Sequence, residues 1–391
     1  MTRKLAIALA AALLAGGCPG CPDNSGNNSS GGSSATEILI GEYGSMTGGS
    51  ATFGKGTHKG IMLAVDEQNA AGGVKGKKIK VISYDDKGDE QEAGNCVQRL
   101  CSSDHVVALL GEVASSRSKA GGRVAQEAGV PMITPSSTNA EVTQIGDMIF
   151  RVCFIDDFQG FVGAKFAFEN LKCKKVAILY DQKQAYATGL RDNFKTAFTG
   201  MGGTVATEKA FSTGDQDFNA QLTAIKGENV DAIYIPGYYT EVGNIALQAR
   251  KLGITLPLVG GDGWESPKLA EIAKDAIDGC YYSNHYSDED QRPEIQDFLK
   301  KFRAMKLDPE TPPDSLAALG YDAARVLFAA IERAPSLSGK DLAAAIATTK
   351  DFKGVTGSIT IDKDRNASKT AIMLKMKDGA PHFMAAIEPQ K

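Results

Sequence analysis

The sequence predicts an α/β fold with two lobes, each built on a parallel β-sheet. Three observations carry this prediction. Segments typical of strands and helices alternate from Glu37 onward, and the alternation begins again near residue 157. The central strand segments are short and apolar throughout, as expected when helices cover both faces of a sheet. A length of 391 residues with 42% hydrophobic content supplies enough core for two such lobes.

The first block contains five predicted strands and three predicted helices, and a further helix is expected to begin after Asn139. The strand segments are 37–44, 79–86, 105–113, 130–138 and 148–154. The helical segments, where apolar residues recur at helical spacing, are 57–69, 88–104 and 116–129. Strands joined by helical connections of this length form βαβ units and parallel sheets.

The second block repeats the pattern without repeating the sequence. Its helical segments are 158–171, 189–203, 217–230, 241–253 and 267–278. Its strand segments are 174–181, 204–211, 231–239, 256–263 and 279–287. Two long helices and two strands complete the prediction, at 292–306, 315–334, 357–362 and 370–379. We therefore expect two lobes of similar architecture, with a helical segment that follows them.

Residues 1–17 have the features of a bacterial lipoprotein signal peptide. Two basic residues precede a ten-residue apolar run, 5–14, which is too short to span a bilayer. Small residues then precede Cys18, as in a lipobox, so Cys18 is the expected lipidated first residue of the mature chain. The alternative is ordinary signal cleavage with Cys18 as a bystander. Residues 18–36 are rich in Ser, Gly and Asn and predict a flexible tether.

The composition argues against several classes of function. A formal net charge of −4 makes a nucleic-acid partner unexpected. The four His residues lie far apart, each expected at the surface or at a strand edge, and motifs for phosphate binding, serine hydrolysis or zinc proteolysis are absent. We therefore expect no metal, no cofactor and no enzymatic activity. The acidic run 85–90 predicts a solvated turn and helix start, with a weak cation site as the alternative.

Cysteine usage leaves the redox chemistry open. Six Cys residues remain besides Cys18, and no C-x-x-C motif is present. Export would permit disulfides, but the sequence alone does not determine the pairing.

Polar residues follow several predicted strands, where ligands bind in open parallel sheets. In the first block these residues bear hydroxyl groups at two predicted helix N-termini, an arrangement that suits a carboxylate. In the second block they are two tyrosines and an aspartate, which suit an ammonium group. The residues are Ser115, Ser136, Thr138, Tyr186, Tyr238 and Asp262. A site that binds an anion on one side and a cation on the other favours a zwitterionic ligand. A free α-amino acid is the natural candidate.

Each of these residues also has a simpler interpretation. Ser115 and Ser136 could be helix N-caps, Tyr186 and Tyr238 could lie at the rim of the core, and Asp262 could only shape a turn. Their convergence on one edge of the sheets favours the ligand site over these separate explanations.

At the level of whole segments, the chain resembles the type I periplasmic solute-binding proteins of branched-chain amino acid ABC transporters. The resemblance covers about residues 37–391, and its more specific stretches are NAAGGVKGKKI, SYDDKGD, VVALLGEVASS, PMITPSST, FRVCFIDDFQG, VAILYD, GYYTEVGNIALQARKLG and GGDGW. It implies two Rossmann-like lobes joined by a three-strand hinge. The implied N-terminal lobe is 37–156 plus 286–369, and the C-terminal lobe is 157–285 plus 370–391.

The resemblance also implies roles for the site residues. Ser115, Ser136 and Thr138 would bind the ligand carboxylate or share the ammonium, and the residues from the other lobe would bind the ammonium. Asp262 stands where family members often have Glu. Candidates for the wall around the ligand side chain are Phe53, Tyr239 and Trp264. A disulfide of some relatives is missing, because Gly88 and Ala114 occupy the corresponding regions.

The resulting hypothesis is an extracytoplasmic substrate-binding lipoprotein in the periplasm or at the cell surface. We expect a monomer that captures a branched-chain or other neutral aliphatic amino acid by lobe closure and delivers it to the permease of an ABC importer. The same fold could instead serve an amide, a urea derivative or an aromatic acid, or a sensor subunit. An exported α/β enzyme is a further alternative, for which the sequence offers no nucleophile–base pair.

Overall fold

The computed structural model describes residues 36–305 and 313–389 of the chain. The predicted signal peptide, Cys18 and all but the last residue of the predicted tether lie outside the described residues. Within the two described ranges, no helix is both long and apolar enough to cross a membrane.

The first lobe is built on a five-stranded parallel sheet in the order β2-β1-β3-β4-β5. Its strands are β1 (Glu37–Gly44), β2 (Lys78–Asp85), β3 (Ala108–Leu110), β4 (Met132–Thr134) and β5 (Ile149–Arg151). All five overlap predicted strand segments. The three short strands, β3 to β5, are fully buried, which explains why their sequences are largely apolar without alternation.

The second lobe is built on a seven-stranded sheet in the order β14-β13-β10-β9-β8-β6-β7. Its strands are β6 (Lys175–Asp181), β7 (Thr204–Phe211), β8 (Ala232–Ile235), β9 (Leu258–Gly260), β10 (Tyr281–Asn284), β13 (Ala371–Lys377) and β14 (Ala380–Ile387). The strands from β6 to β10 are parallel, whereas β13 and β14 run antiparallel to their neighbours. The predicted fold class is confirmed, with the correction that this sheet is mixed at one edge.

The helices cover the two sheets. They are α1 (Ala51–Ala70), α2 (Glu90–Ser102), α3 (Ser115–Ala128), α4 (Glu141–Gln144), α5 (Asp156–Lys165), α6 (Ala185–Gly200), α7 (Asn219–Lys226), α8 (Tyr239–Lys251), α9 (Pro267–Ala273), α10 (Pro293–Ala304), α11 (Ser315–Arg333) and α12 (Gly339–Ala347). A π-helical turn continues α5, and a small hairpin of β11 (Phe352–Gly354) and β12 (Gly357–Ile359) follows α12. The sequence did not predict α12 or β14.

Helix α1 begins six residues before its predicted start, at Ala51 instead of residue 57. Two glycines weaken the helical sequence pattern in residues 51–56. Tertiary packing therefore determines the structure of this segment. A side chain at Gly54 would lie 2.2 Å from the Ser45 carbonyl oxygen, so only glycine permits this close approach. The earlier start places Phe53 in the first turn of the helix, at the edge of the sheet.

The chain passes between the lobes three times: after β5, after β10 and before β13. These three segments form the hinge. Helices α10, α11 and α12 therefore return to the first lobe, where their apolar residues share one core with β1, β3 and β4. The predicted lobe boundaries at residues 156, 285 and 369 fall in these crossings and stay a prediction.

Helices α1 and α11 pack closely through small residues. A Cβ atom on Gly60 would lie 1.9 Å from the Ala317 carbonyl oxygen, and one on Gly320 would lie 2.5 Å from the Thr57 carbonyl oxygen. This packing fixes the N-terminus of α11 beside the hinge. There the Asp314 side chain caps the helix by accepting a hydrogen bond of 2.8 Å from Ala317 N.

We expect Asp314 to make stability depend on pH. Burial, together with the nearby Glu265 carboxylate, raises the pKa of Asp314 to about 8. Because the pKa is higher in the folded state, ionisation favours unfolding, and stability is lost as pH rises from about 4 towards 8. Asp314→Asn still caps the helix but cannot ionise. The free energy of unfolding should fall between pH 5 and pH 8.5 in the wild type. In the variant this fall should be smaller by at least about 1.4 kcal/mol.

The matched control is Asp89→Asn at the cap of α2, where an exposed aspartate accepts from Gln91 N and Glu92 N. Chemical denaturation of this variant at the same pH values measures what an Asp→Asn change at an exposed helix cap does to the free energy of unfolding. Equal pH slopes for Asp314→Asn and the wild type would contradict the assignment.

Candidate functional site

The carboxyl ends of the two sheets face each other, and the lobes touch across the cleft between them. Ser116 Oγ accepts a hydrogen bond of 3.0 Å from Ala185 N, at the start of α6 in the opposite lobe. Asn139 Nδ2 donates to Ala185 O at 2.8 Å. A third contact joins Thr240 Oγ1 to the Gly49 carbonyl oxygen at 2.8 Å. The structure therefore presents the closed arrangement of the lobes.

Three of the predicted site residues carry buried polar atoms that have no hydrogen-bond partner among the described residues. They are Ser136 Oγ, Thr138 Oγ1 and Tyr238 OH. Buried polar groups in proteins are nearly always hydrogen-bonded, so unpartnered ones in a cleft mark a place where a polar ligand binds. Ser136 and Thr138 come from the first lobe and Tyr238 from the second, so these atoms belong to both sides of the cleft.

The segment that carries Ser136 and Thr138 is a loop, not the start of a helix. The sequence predicted a helix N-terminus here, but α4 begins only at Glu141 and is four residues long. The buried Arg151 guanidinium holds the loop instead, by donating to the carbonyl oxygens of Ser137 and Asn139. The N-cap interpretation of Ser136 is therefore wrong.

Ser115 is the first residue of α3 and is not its N-cap either. The N-cap position is Ala114, and no side chain caps this helix. Ser115 Oγ accepts a hydrogen bond of 3.2 Å from Asn139 N, which leaves the hydroxyl proton available as a donor. Because α3 has 14 residues, its uncapped N-terminus adds favourable electrostatics for an anion.

On the opposite side, Asp262 lies directly after β9 in a short 3₁₀ turn. Its two carboxylate oxygens each have a partner: Oδ1 accepts from Gln159 Nε2 at 2.8 Å, and Oδ2 lies 2.9 Å from His285 Nε2. Tyr186 OH accepts from Gly263 N at 3.1 Å, and the Tyr186 and Tyr238 rings stack with centroids 5.4 Å apart. The structure thus brings the three predicted residues of this lobe together.

His285 corrects a prediction. Nothing in the sequence placed His285 in the site, and its expected position was the surface or a strand edge. It follows β10 directly, but it is 2% exposed and stacks on Phe154 with ring centroids 3.9 Å apart. Its position after a strand at the ligand-binding edge of the sheet was the signal that could have found it.

Asp156 and Gln159, which the sequence analysis did not single out, also belong to the site. Both lie at the start of α5 and are fully buried. Burial raises the pKa of Asp156 well above its ordinary value, and the neighbouring Thr138 hydroxyl group offsets only part of this effect. The Tyr186 and Tyr238 hydroxyl groups also have a raised pKa because of burial, so they remain neutral donors.

The three predicted wall residues lie in one buried cluster, and their role at the ligand stays a prediction. Phe53 packs edge-on against Tyr238 and Tyr239, with ring centroids 5.4 and 5.1 Å apart, and so joins the two lobes. Three residues that were not predicted share this apolar cluster: Val113, Ala114 and Leu316. Trp264 belongs to the same buried cluster as Phe53 and Tyr239. Its indole N–H donates to Ile235 O at 3.0 Å, and its aromatic neighbour is Tyr282.

The acidic run 85–90 is structural. Asp85 accepts main-chain hydrogen bonds from Met46 and Lys87, and Asp89 caps α2. Asp86 is buried and accepts from Ser45 Oγ, so the expectation of a solvated turn is wrong for this residue. Among the residues that the structure describes, no cluster of three or more His, Cys, Asp or Glu could hold a metal ion. The five described cysteines are free.

Two α/β lobes that close over a polar site at the carboxyl ends of their sheets define the class of two-lobed solute-binding proteins. The family model "Periplasmic binding protein" matches residues 37–381, and the chain belongs to this family. Its relatives identify it further as a binding protein of the branched-chain amino acid ABC transporter type, which confirms the predicted resemblance.

The relatives are similar over most of the chain. The Leu/Ile/Val-binding protein BraC3 of Rhizobium johnstonii is 33% identical over 326 residues, which cover 83% of this chain and 87% of that protein. The leucine-binding protein LivK of Thermotoga maritima has a TM-score of 0.86 and 39% identity, over 90% of this chain and 99% of that one. LivJ of Streptococcus pneumoniae, solved with isoleucine, has a TM-score of 0.84 and 36% identity, over the same shares.

We expect loss of the hydroxyl group to change the free energy of unfolding differently at Tyr238 and at Tyr282. Tyr238→Phe removes a group without a partner among the described residues and should leave the free energy of unfolding of ligand-free protein within about 0.5 kcal/mol of wild type. Tyr282→Phe removes a 2.7 Å hydrogen bond to Glu265 and should lower it by about 1.5–3 kcal/mol. Urea denaturation measures both. A large loss in Tyr238→Phe would mean that its hydroxyl group has a structural partner.

Proposed function

We propose that the protein binds a free neutral aliphatic amino acid, such as leucine, isoleucine or valine, and delivers it to the permease of an ABC importer. The observation that carries this proposal is the opposition of two polar clusters in one closed cleft. Hydroxyl groups and an uncapped helix face it from one lobe, and Asp262 with two tyrosines faces it from the other. A group that complements both sides must carry an anion and a cation.

The carboxylate of the ligand fits the first lobe. Ser115 and Thr138 supply hydroxyl donors, and the uncapped α3 supplies main-chain N–H groups. Arg151 lies behind the loop and is fully buried, so its positive charge also favours an anion. Hydrogen bonds to charged groups contribute about 1.5–3 kcal/mol each, so a few of them support affinity in the micromolar range or tighter.

The ammonium group fits the second lobe. Asp262 supplies the negative charge, and the Tyr238 hydroxyl group supplies a neutral acceptor. The side chain of the ligand then meets Phe53, Val113 and Leu316, whose surfaces are apolar. An aliphatic side chain gains from burial there, whereas a charged one would lose its hydration without a partner.

Closure of the lobes explains capture without chemistry. Contacts from both lobes are available together only in the closed state, so a ligand that uses both sets stabilises closure. We assign the moving parts as 37–156 plus 286–369 and 157–285 plus 370–391. The closed form would be the one that the permease recognises, and we propose a monomeric protein that performs no reaction.

The ligand is tested by thermal shift of protein refolded without ligand. We expect leucine, isoleucine or valine to raise the melting temperature by several degrees, because ligand at 100 times Kd stabilises by about 2.7 kcal/mol. 4-Methylpentanoate, which lacks the ammonium, and 3-methylbutylamine, which lacks the carboxylate, should raise it far less. A shift with benzoate or an amide alone would contradict the amino acid assignment.

Asp262→Asn tests the ammonium acceptor, because it removes the charge and keeps the shape. Leucine affinity by calorimetry should fall at least about tenfold, as a charge-assisted hydrogen bond contributes about 1.5–3 kcal/mol. Asp231→Asn, at the opposite end of the same sheet, is the matched control and should bind as wild type does. Unchanged binding in Asp262→Asn would remove this residue from the site.

We also propose that the mature protein is a lipoprotein anchored through Cys18, a residue outside the described ranges. Mass spectrometry of the N-terminal peptide should show a diacylglyceryl Cys18. Cys18→Ala should move the protein from the membrane fraction to the soluble fraction. A mature N-terminus at another position, with an unmodified Cys18, would contradict the proposal.

A further inference from the structure

His285 occupies a place in the molecule that its sequence context did not indicate. It lies in the second hinge crossing, directly after β10, and its ring stacks on Phe154 from the first crossing at an angle of 20°. The side chain is fully buried. Its Nε2 atom lies 2.9 Å from Asp262 Oδ2, while Nδ1 has no partner among the described residues. The ring is therefore fixed by stacking and makes one polar contact, to Asp262.

The contact defines the tautomer. A carboxylate oxygen only accepts hydrogen bonds, so Nε2 must carry the proton and donate. Complete burial lowers the pKa of His285, an effect that outweighs the Asp262 carboxylate, so the ring is neutral at pH 7. His285 is thus a neutral Nε2–H donor, with an unprotonated Nδ1.

The second donor to Asp262 is also neutral. Gln159 Nε2 donates to Oδ1 at 2.8 Å, so each carboxylate oxygen accepts one hydrogen bond from an uncharged group. A carboxylate can accept about four hydrogen bonds, so both oxygens keep capacity for a ligand. A Lys or Arg in either place would form an ion pair and cancel the charge that attracts an ammonium group. Two neutral donors fix the plane of the carboxylate and leave its charge uncompensated.

We propose that His285 is a positioning residue for the ligand ammonium: its neutral Nε2–H, held on Phe154 in the hinge, orients the Asp262 carboxylate without cancelling its charge. Among the described side chains, only Gln159 and His285 donate hydrogen bonds to the Asp262 carboxylate, so its orientation depends on these two residues. This inference rests on the proposed function, since it assumes that Asp262 accepts an ammonium group.

The test compares three side chains at position 285 by calorimetry with L-leucine at pH 7.5. His285→Gln places a neutral N–H donor near the position of Nε2 and should keep the affinity within about threefold of wild type. His285→Leu has similar bulk and no donor, and should weaken binding at least about tenfold. Rescue by glutamine separates a positioning role from a merely structural one, because both variants lose the aromatic stack on Phe154.

A second measurement reads the tautomer directly. In protein labelled with ¹⁵N at histidine, the His285 signals should show a protonated Nε2 and an unprotonated Nδ1, with L-leucine bound. Should His285→Leu fail to fold, His285→Asn takes its place, because its amide is one methylene too short to reach Asp262. It should also weaken binding at least about tenfold.

The outcomes separate this inference from the proposed function. If the wild type binds no amino acid, the proposed function fails. If the wild type binds leucine and Asp262→Asn does not, but His285→Leu binds within twofold of wild type, the positioning role is overturned. Equal loss in His285→Leu and His285→Gln, or a protonated Nδ1, would also overturn it.

Discussion

The candidate site is built around the buried carboxylate of Asp262. A charge that is removed from water needs hydrogen-bond donors, and here they come from Gln159 on α5 and His285 on the hinge. These residues are 103 and 23 positions away from Asp262. They meet only because the chain crosses between the lobes and returns.

The same constraint explains why closure and binding are coupled. Ser136, Thr138 and Tyr238 bury polar atoms without partners among the described residues, a cost that a ligand touching both lobes would remove. The lobes also meet away from the ligand, where Glu265 of the second lobe accepts from Ser315 N of the first. The free energy of closure therefore has two contributions. One comes from contacts between the lobes such as this one, and the other comes from contacts with the ligand.

Much of the fold was predictable because its elements carry local signals. Strands such as β6 and β7 are bounded by turn residues, and β7 was predicted to the residue at 204–211. β14 was missed because its residues are largely exposed and strand character comes from pairing with β13. The Asp378–Gly379 turn between them, with positive φ at both residues, was a usable hairpin signal. The early start of α1 depends on contact with Ser45, which no local pattern encodes.

The sequence by itself determined the fold class, the family and the strand ends that carry Ser115, Ser136, Thr138, Tyr186, Tyr238 and Asp262, because these follow from local periodicity and from motifs. Only the tertiary structure decided which side chains share one space. It replaced a predicted helix N-terminus by a loop held on Arg151 and brought His285 to Asp262. The physical reason is that hydrogen bonds and burial join residues distant in sequence, and their partners are set by the packing of whole lobes.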